Sequence, residues 1–240
     1  MQILAILGGP LATGAHLAIP VDLPPYQLSG IVYGTLLNHR SALMALGSAI
    51  DEAPYRTAPK APVLYLKPRN TLAVNGAAVS IPANIAELEV GACLGLVIAR
   101  AACRLDEASA LEHVAGFLIV NDVSVPHGDY YRPSVRLKAR DGFCPLGPRV
   151  VARGAIANPD ALNIKVYVDG QLQHTSSTSG LIRPIVKLLC DVTEFMSLAA
   201  GDVLAVGAAA PAPRARAGQE VSIEIDGLGR LTNHFVGSDA

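Results

Sequence analysis

The sequence predicts an α+β fold in which strands dominate, and three observations support this. Short apolar runs separated by turn residues recur along most of the chain, which is typical of strands. Helical spacing of apolar residues occurs in only a few isolated segments, so helices and strands do not alternate as in a parallel βαβ fold. A length of 240 residues with 51% hydrophobic residues allows a large buried core.

A Pro-rich stretch over residues 52–62 is the candidate domain boundary. Before it, the pattern predicts a strand leading into a helix, with apolar residues at helical spacing from Leu43 to Ile50. We therefore predict a small N-terminal segment over residues 1–60 and a main domain over residues 61–240. The apolar N-terminus lacks a basic region and is interrupted by Gly8, Gly9 and Pro10, which argues against a signal peptide.

Within the main domain, two Gly-containing pairs predict hairpin turns: Asn75–Gly76 and Asp169–Gly170. One helix is predicted over residues 105–117, with Asp106 as its N-terminal cap. A second is predicted over residues 179–198, where Pro184 fits the first turn. The intervening apolar runs predict strands.

Composition narrows the function classes. The net charge is −1 and no basic run occurs, so neither nucleic acid nor a membrane surface is an expected partner. No uninterrupted apolar stretch reaches membrane-spanning length. The four cysteines are scattered without CxxC spacing, which favours reduced thiols and a cytoplasmic location.

Residues 121–148 concentrate ionisable groups in a chain with only 16% charged residues. The segment directly follows the apolar run of residues 114–120 and holds ten acidic, basic, histidine and tyrosine side chains among the first 21 positions. Such a cluster after a buried strand indicates a polar pocket wall.

Six segments, in this order, resemble the fumarylacetoacetate hydrolase family: YLKPRNT, LGLVIAR, VAGFLIVNDVS, RLKARDGFCPLGP, GDVLAVG and IDGLGRLTNHFV. The resemblance covers roughly residues 30–236, and its strength lies in the ordered set, since each motif alone is weak. The segments LLNHRSAL and YYRPSVRLKARDGFCPLGP are closer still to one branch, the decarboxylase/isomerase of homoprotocatechuate (4-hydroxyphenylacetate) breakdown. In that branch the chain is similar to the N-terminal half or subunit.

The resemblance implies a strongly twisted mixed sheet rolled into a partly open barrel, with a few peripheral helices and a catalytic role for residues 61–240. It implies decarboxylation of 5-carboxymethyl-2-oxo-hex-3-ene-1,7-dioate, isomerisation of 2-hydroxyhepta-2,4-diene-1,7-dioate, or both. It also implies a Mg²⁺ or Mn²⁺ ion, held by two Glu in an E-x-E pattern and a later Asp. Carboxylate oxygens suit such hard cations, and the cation would stabilise an enolate.

Only the third metal ligand is kept, at Asp122. The two Glu positions are Gly91 and Cys93, neither of which offers a side-chain oxygen. Glu87 and Glu89 have the E-x-E spacing, but a four-residue slide of a register-fixed strand would be needed to use them. We therefore expect metal binding to be weak or absent. The family's Arg-Asp pair is also replaced, by Pro126 and His127, and the Thr of its late loop by Ala208.

Cationic residues remain as candidates. Lys138 matches a lysine that faces the substrate in the family, although a surface lysine is the alternative. We expect Arg136, Lys138 and Arg140 to alternate in an extended segment and share one face, with Arg140 contacting substrate. Arg132 either clamps a substrate carboxylate or stacks on Tyr131 at the surface.

His39 aligns with the family's proton-transfer histidine, and imidazole suits that role because its pKa lies near neutrality. The acid usually found three residues on is Ala42, so the relay lacks its orienting group. Lys67 matches a family motif near the pocket mouth and is a further candidate for substrate binding, with packing as the alternative. We interpret His127, His174 and His234 as structural or exposed.

Two functions follow from these residues. The chain either acts as a decarboxylase/isomerase that uses cationic side chains instead of a metal, or is a catalytically silent paralogue that supports a metal-bearing partner. In both cases the expected small molecule is a 2-oxo dicarboxylate. The expected assembly is a homodimer, or a hetero-oligomer with the paralogous C-terminal-type subunit.

Overall fold

The computed structural model describes residues 22–23, 26–128, 130, 132 and 134–237. Within these ranges the strands are β1 (Asp22–Leu23), β2 (Tyr26–Gln27), β3 (Val32–Leu36), β4 (Val63–Lys67), β5 (Leu72–Ala73), β6 (Ala78–Ile81), β7 (Leu88–Glu89), β8 (Ala92–Ile98), β9 (Val114–Asn121), β10 (Cys144–Ala152), β11 (Asn163–Val168), β12 (Gln171–Ser177), β13 (Val203–Ala205), β14 (Arg214–Ala215), β15 (Glu220–Ile225) and β16 (Gly229–Gly237). The α-helices are α1 (Arg40–Met44), α2 (Val135–Lys138) and α3 (Ile185–Phe195).

The largest sheet has seven strands in the order β4-β3-β13-β8-β9-β10-β5. Strand β8 pairs antiparallel with β9 and β13, whereas β3 runs parallel to β13 and β5 parallel to β10. Every residue of β8 is buried, because both faces of the sheet are covered at its centre. This explains why β8 is an almost continuous apolar run instead of an alternating pattern.

A second sheet of five strands, in the order β12-β11-β15-β16-β6, packs against one face of the first. The larger core cluster combines residues of β8 and β9 with residues of β11, β15 and β16 and with the buried side of α3. The smaller cluster lies on the opposite face of β8 and β9, and contains Cys93 and Cys144. The predicted mixed sheet, curled into a partly open barrel with few helices, is confirmed.

Several local predictions are confirmed. Asp169 and Gly170 both have positive φ and connect the antiparallel strands β11 and β12. The helix predicted around residues 179–198 forms as α3, preceded by Pro184. The strand predicted before residue 52 forms as β3, whereas the helical pattern from Leu43 to Ile50 is divided between the end of α1 at Met44 and a separate 3₁₀ turn over Gly47–Ile50, which begins at a positive φ of 52°.

Two local predictions are wrong. Residues 105–117 form a short 3₁₀ turn over Ala110–His113, and β9 begins at Val114. Asp106 does not cap this turn, whose first flanking residue is Ser109; its Oδ1 accepts from the Ser109 amide at 2.8 Å in the segment just before it. Pairing of β9 with β8 buries the following apolar residues Val114, Phe117 and Ile119 in the larger core cluster. Asn75–Gly76 forms a turn with φ 83° at Gly76, but the strands on either side belong to different sheets.

Strand β3 precedes residue 60 and pairs with β4, which follows it, with Val32 opposite Lys67. The division of the chain at residue 60 stays a prediction. In the part of the chain that the structure describes, no helix is long and apolar enough to cross a membrane.

Candidate active site

A cavity of about 240 Å³ opens beside the end of β9, where β7, α2 and the loop over residues 206–214 converge. One side is lined by small apolar residues of that loop, from Ala208 to Ala212. The ionisable and hydroxyl side chains that line the cavity are Thr35, Glu89, Asp122, Ser124, His127, Tyr130, Lys138 and Arg214. The cavity therefore combines a polar wall and an apolar wall, as small-molecule sites do.

Asp122 and Lys138 form the buried centre of the polar wall. Lys138 Nζ donates to Asp122 Oδ2 at 2.6 Å, and the two residues are only 5% and 6% exposed. Asp122 directly follows β9, and its amide donates to the Gly91 carbonyl at 2.9 Å. Lys138 Nζ also lies 4.6 Å from the centre of the Tyr65 ring, which supports the ammonium by a cation–π contact.

Lys138 reaches the cavity because of local helical structure, and the extended segment expected at residues 136–140 is wrong. In α2 the Lys138 amide donates to the Ser134 carbonyl at 2.9 Å. Residues two apart on a helix face different directions, so Lys138 points inward while Arg136 is exposed. Arg140 Nε donates to the Arg136 carbonyl at 3.0 Å and lines a separate shallow depression with Ser80.

Lys67 lies beneath the cavity, not on its surface. It is 1% exposed, and its Nζ donates to the carbonyls of Val123, Lys138 and Phe143 at 2.6, 2.7 and 2.8 Å. The same ammonium is 3.0 Å from Asp122 Oδ1. The Lys67 ammonium therefore uses its three N–H groups on backbone carbonyls before, within and after α2. Lys67 is not among the residues that line the cavity.

The two lysines decide the charge of Asp122. Burial acts to raise the pKa of Asp122, but attraction to Lys138 and Lys67 outweighs burial and lowers it to about 2. Burial is also the main reason why the pKa of Tyr65 is raised well above its usual value, so its hydroxyl stays protonated beside the Asp122 carboxylate. At neutral pH the centre of the site is thus an ionised carboxylate in contact with two ammonium groups.

The family's metal positions do not fit a metal here. Asp122 Oδ2 accepts from Lys138, and Oδ1 lies 3.0 Å from the Lys67 ammonium although it accepts no hydrogen bond among the described residues, so a cation already lies against each oxygen. Cys93 lies buried in the smaller core cluster, and burial raises the pKa of its thiol, which disfavours the thiolate. A group of three or more His, Cys, Asp or Glu side chains suited to a metal ion is absent from the described residues.

Gly91 is required by the close approach of Asp122. A Cβ at position 91 would lie 2.5 Å from the Asp122 carbonyl oxygen and 3.0 Å from its Cβ. A glutamate at this position would therefore push apart the backbone segments that present Asp122.

We expect Gly91→Ala to lower the free energy of unfolding by about 1–3 kcal/mol, because the extra methyl meets backbone that cannot move cheaply. Urea unfolding monitored by circular dichroism measures the change. Gly154→Ala is the matched control, since nothing lies within 4 Å of a Cβ at that position. Equal stability of the two variants would contradict the close packing at Gly91.

Glu89 reaches the cavity without the four-residue strand slide that its use as a family metal ligand would need. The pairing of Cys93 with Val120 keeps β8 in the register that leaves Gly91 beside Asp122. Glu89 lies on the separate strand β7, where it exchanges backbone hydrogen bonds with Ser124 at 2.8 and 3.2 Å. Its Oε1 is 3.8 Å from Arg214, and burial raises its pKa. Glu87 is not among the cavity-lining residues and pairs with Arg214 and Arg216.

The structure places His39 next to the cavity wall but not among its lining residues. Its Nδ1 is 2.8 Å from Ser41 Oγ and its Nε2 is 3.2 Å from the Ser177 carbonyl. Ser41 Oγ in turn accepts from the Ala210 amide at 2.9 Å, which ties α1 to the apolar wall. Both ring nitrogens of His39 thus have protein partners. Arg132 is exposed and does not line the cavity.

Sequence reasoning gave no substrate-binding or catalytic role to six polar residues that line the cavity: Thr35, Glu89, Ser124, His127, Tyr130 and Arg214. For His127 and Tyr130 the signal was present, since both belong to the polar segment that follows β9. Arg214 gave no local signal, because it reaches the cavity only through the pairing of β14 with β7.

A family model for the C-terminal domain of fumarylacetoacetate hydrolase matches residues 31–236. The chain belongs to the fumarylacetoacetate hydrolase family. It is 34% identical over 209 residues to the 4-hydroxyphenylacetate degradation bifunctional isomerase/decarboxylase of Escherichia coli. That match covers 87% of this chain and 48% of the relative, so the chain spans about half the relative's length.

Two solved structures of this family have the same fold. The 5-carboxymethyl-2-hydroxymuconate delta-isomerase of Mycobacterium smegmatis is 29% identical with a TM-score of 0.73, over 88% of this chain and 80% of that one. The 2-hydroxyhepta-2,4-diene-1,7-dioate isomerase of Mycobacterium marinum is 27% identical with a TM-score of 0.71, over 88% and 76%. The fumarylpyruvate hydrolase of Pseudomonas aeruginosa, solved in complex with Mn²⁺ and pyruvate, is 20% identical with a TM-score of 0.75, over 89% of this chain and 91% of that one.

Proposed function

We propose that this chain decarboxylates 5-carboxymethyl-2-oxo-hex-3-ene-1,7-dioate and isomerises the resulting 2-hydroxyhepta-2,4-diene-1,7-dioate. The observation that carries the proposal is the buried Lys138 ammonium, paired with Asp122 and facing the cavity. The names of the relatives support the substrate class, since they act on unsaturated acids of this kind.

Both reactions pass through a dienolate whose charge is concentrated on the oxygen at carbon 2. When the bond to the departing carboxylate breaks, its electron pair extends the conjugated system onto that oxygen, and CO₂ leaves. Lys138 has three N–H groups and uses one on Asp122, so others remain for the dienolate oxygen. A fixed ammonium in a largely buried site stabilises such charge more than water does.

In this proposal Asp122 is a positioning residue. Its carboxylate holds the Lys138 ammonium at the cavity wall, while Lys67 neutralises its second oxygen from below. The alanine-rich wall keeps water away from the conjugated chain. Arg214 lines the cavity and binds a distal substrate carboxylate in this proposal, in competition with its present partner Glu87. Arg132 and Arg140 stay candidates for substrate contact only through movement from their present positions.

The purified chain tests this proposal directly. Incubation with the oxo-triacid is expected to release one equivalent of CO₂ and to give the 2-oxo-3-ene diacid. Absence of both reactions at all substrate concentrations would overturn it. The assay separates the two chemical steps, because the dienol absorbs at a different wavelength from the conjugated ketone.

A second candidate function follows from the loss of two metal ligands. Gly91 and Cys93 stand where the family has glutamates, so Asp122 is the one carboxylate left at the three family ligand positions. The chain would then be a silent paralogous subunit that supports a metal-bearing C-terminal-type subunit. Mixing the two tests this: activity would appear only in the mixture. We further propose that the chain works in the cytoplasm, as a homodimer or in such a hetero-oligomer.

A further inference from the structure

His127 differs from the other candidate proton carriers in its hydrogen bonding. Its Nδ1 lies 2.8 Å from the Val125 carbonyl oxygen. A carbonyl only accepts, so Nδ1 must carry the proton. In the neutral ring the lone pair is therefore on Nε2.

The Nε2 atom of His127 is buried, and within the described part of the chain it has no hydrogen-bond partner. An unpaired buried polar atom costs free energy unless a ligand or a water satisfies it. His127 lines the cavity beside Glu89 and Lys138, and its ring packs at 5.5 Å against that of Tyr130. The tautomer and the ring position are thus fixed by protein contacts, and Nε2 is the ring nitrogen without a partner, in a residue that lines the cavity.

We propose that His127 Nε2 transfers the proton in the isomerisation step, a role for which His39 lacks a free nitrogen. This inference rests on the proposed function. Nε2 takes the hydroxyl proton of the dienol as its O–H bond breaks, and the imidazolium keeps its Nδ1–H on Val125. The imidazolium then gives that proton to carbon 5 as the new C–H bond forms. The oxygen at carbon 2 becomes a ketone, and no proton is gained or lost overall.

The balance of charge in the site fits this sequence of steps. While the proton is on His127, the carboxylate of Glu89 lies near enough to attract the imidazolium. Lys138 carries the positive charge that stabilises the dienolate oxygen during the same interval. Decarboxylation does not need His127, because the departure of CO₂ forms the dienolate without a proton transfer.

The test compares two rates in His127→Gln. We expect isomerisation of the dienol to fall at least about 100-fold, as for a lost general acid–base group. Release of CO₂ from the oxo-triacid is expected to fall much less than isomerisation, because the departure of CO₂ forms the dienolate without a proton carrier. Equal loss of both rates, or unchanged isomerisation, would overturn the inference.

His174→Gln is the matched control. His174 also has a buried Nε2 without a partner among the described residues, but it lies on β12 and does not line the cavity. Both rates of this variant should match those of the unmodified chain. If the unmodified chain performs neither reaction, the proposed function itself fails, which is distinct from a failure confined to His127→Gln.

A measurement on the unmodified chain avoids dependence on the folding of a variant. Nitrogen-15 NMR of labelled histidines should show the His127 ring as the Nδ1–H tautomer. Addition of 2-oxoglutarate, a saturated 2-oxo diacid, should shift the His127 Nε2 signal and leave that of His174 unchanged. The Nε2–H tautomer, or no shift at His127 at saturating 2-oxoglutarate, would contradict the proposed role.

Discussion

Replacement of Lys138 by methionine will lower kcat for CO₂ release by about 10²–10³-fold, the loss typical of one preorganised charge-stabilising donor. Methionine keeps the length of the side chain but removes the ammonium. The dienolate oxygen would then face the Asp122 carboxylate without the cation that now separates them. Steady-state kinetics on the oxo-triacid measure the effect.

The effect on kcat should exceed the effect on KM, because the ammonium is needed most where negative charge develops. Lys165→Met is the matched control, since Lys165 is exposed on β11, far from the cavity lining. A folded Lys138→Met variant with kcat within a factor of two of the control would show that the ammonium does not stabilise the transition state.

Replacement of Lys67 by methionine will lower the free energy of unfolding by about 3–5 kcal/mol, the range for removal of one partner from a buried ion pair. The carbonyls of Val123, Lys138 and Phe143 would each lose a charged donor in a buried environment. The Asp122 carboxylate would lose its contact at Oδ1. Urea unfolding measures the change.

Lys60→Met is the control for this stability prediction, because Lys60 is exposed. Its expected change is within about 0.5 kcal/mol, as for most surface substitutions. Equal free energies of unfolding for Lys67→Met and Lys60→Met would show that the three carbonyl contacts of Lys67 do not stabilise the segments around α2.

The central strands were predictable because their apolar sequence is compatible with few secondary structures. The residues of β8 are apolar on both faces, and only a strand in the middle of a covered sheet buries them all. The hairpin at Asp169–Gly170 was predictable from local turn preference. The segment 105–117 was not, since its amphipathic pattern fits a helix locally while pairing with β8 decides the outcome.

The candidate site was predictable only in part. Asp122 and Lys138 were predicted from the family motifs. The short helix that points Lys138 inward was not predicted, because four residues are too few to show a helical pattern. Glu89 and Arg214 are 125 residues apart in the sequence and meet because β7 pairs with β14. A local sequence pattern therefore cannot show that they are neighbours. His127 was visible in the sequence, but its free Nε2 depends on the fold of its loop.

Release of CO₂ in a single turnover, by the isolated chain after treatment with EDTA, tests the central claim most directly. If the Lys138 ammonium replaces the family's metal, the metal-free chain will convert the oxo-triacid, and added Mn²⁺ or Mg²⁺ will leave the rate unchanged. An inactive metal-free chain that gains activity when Mn²⁺ is added would contradict the account.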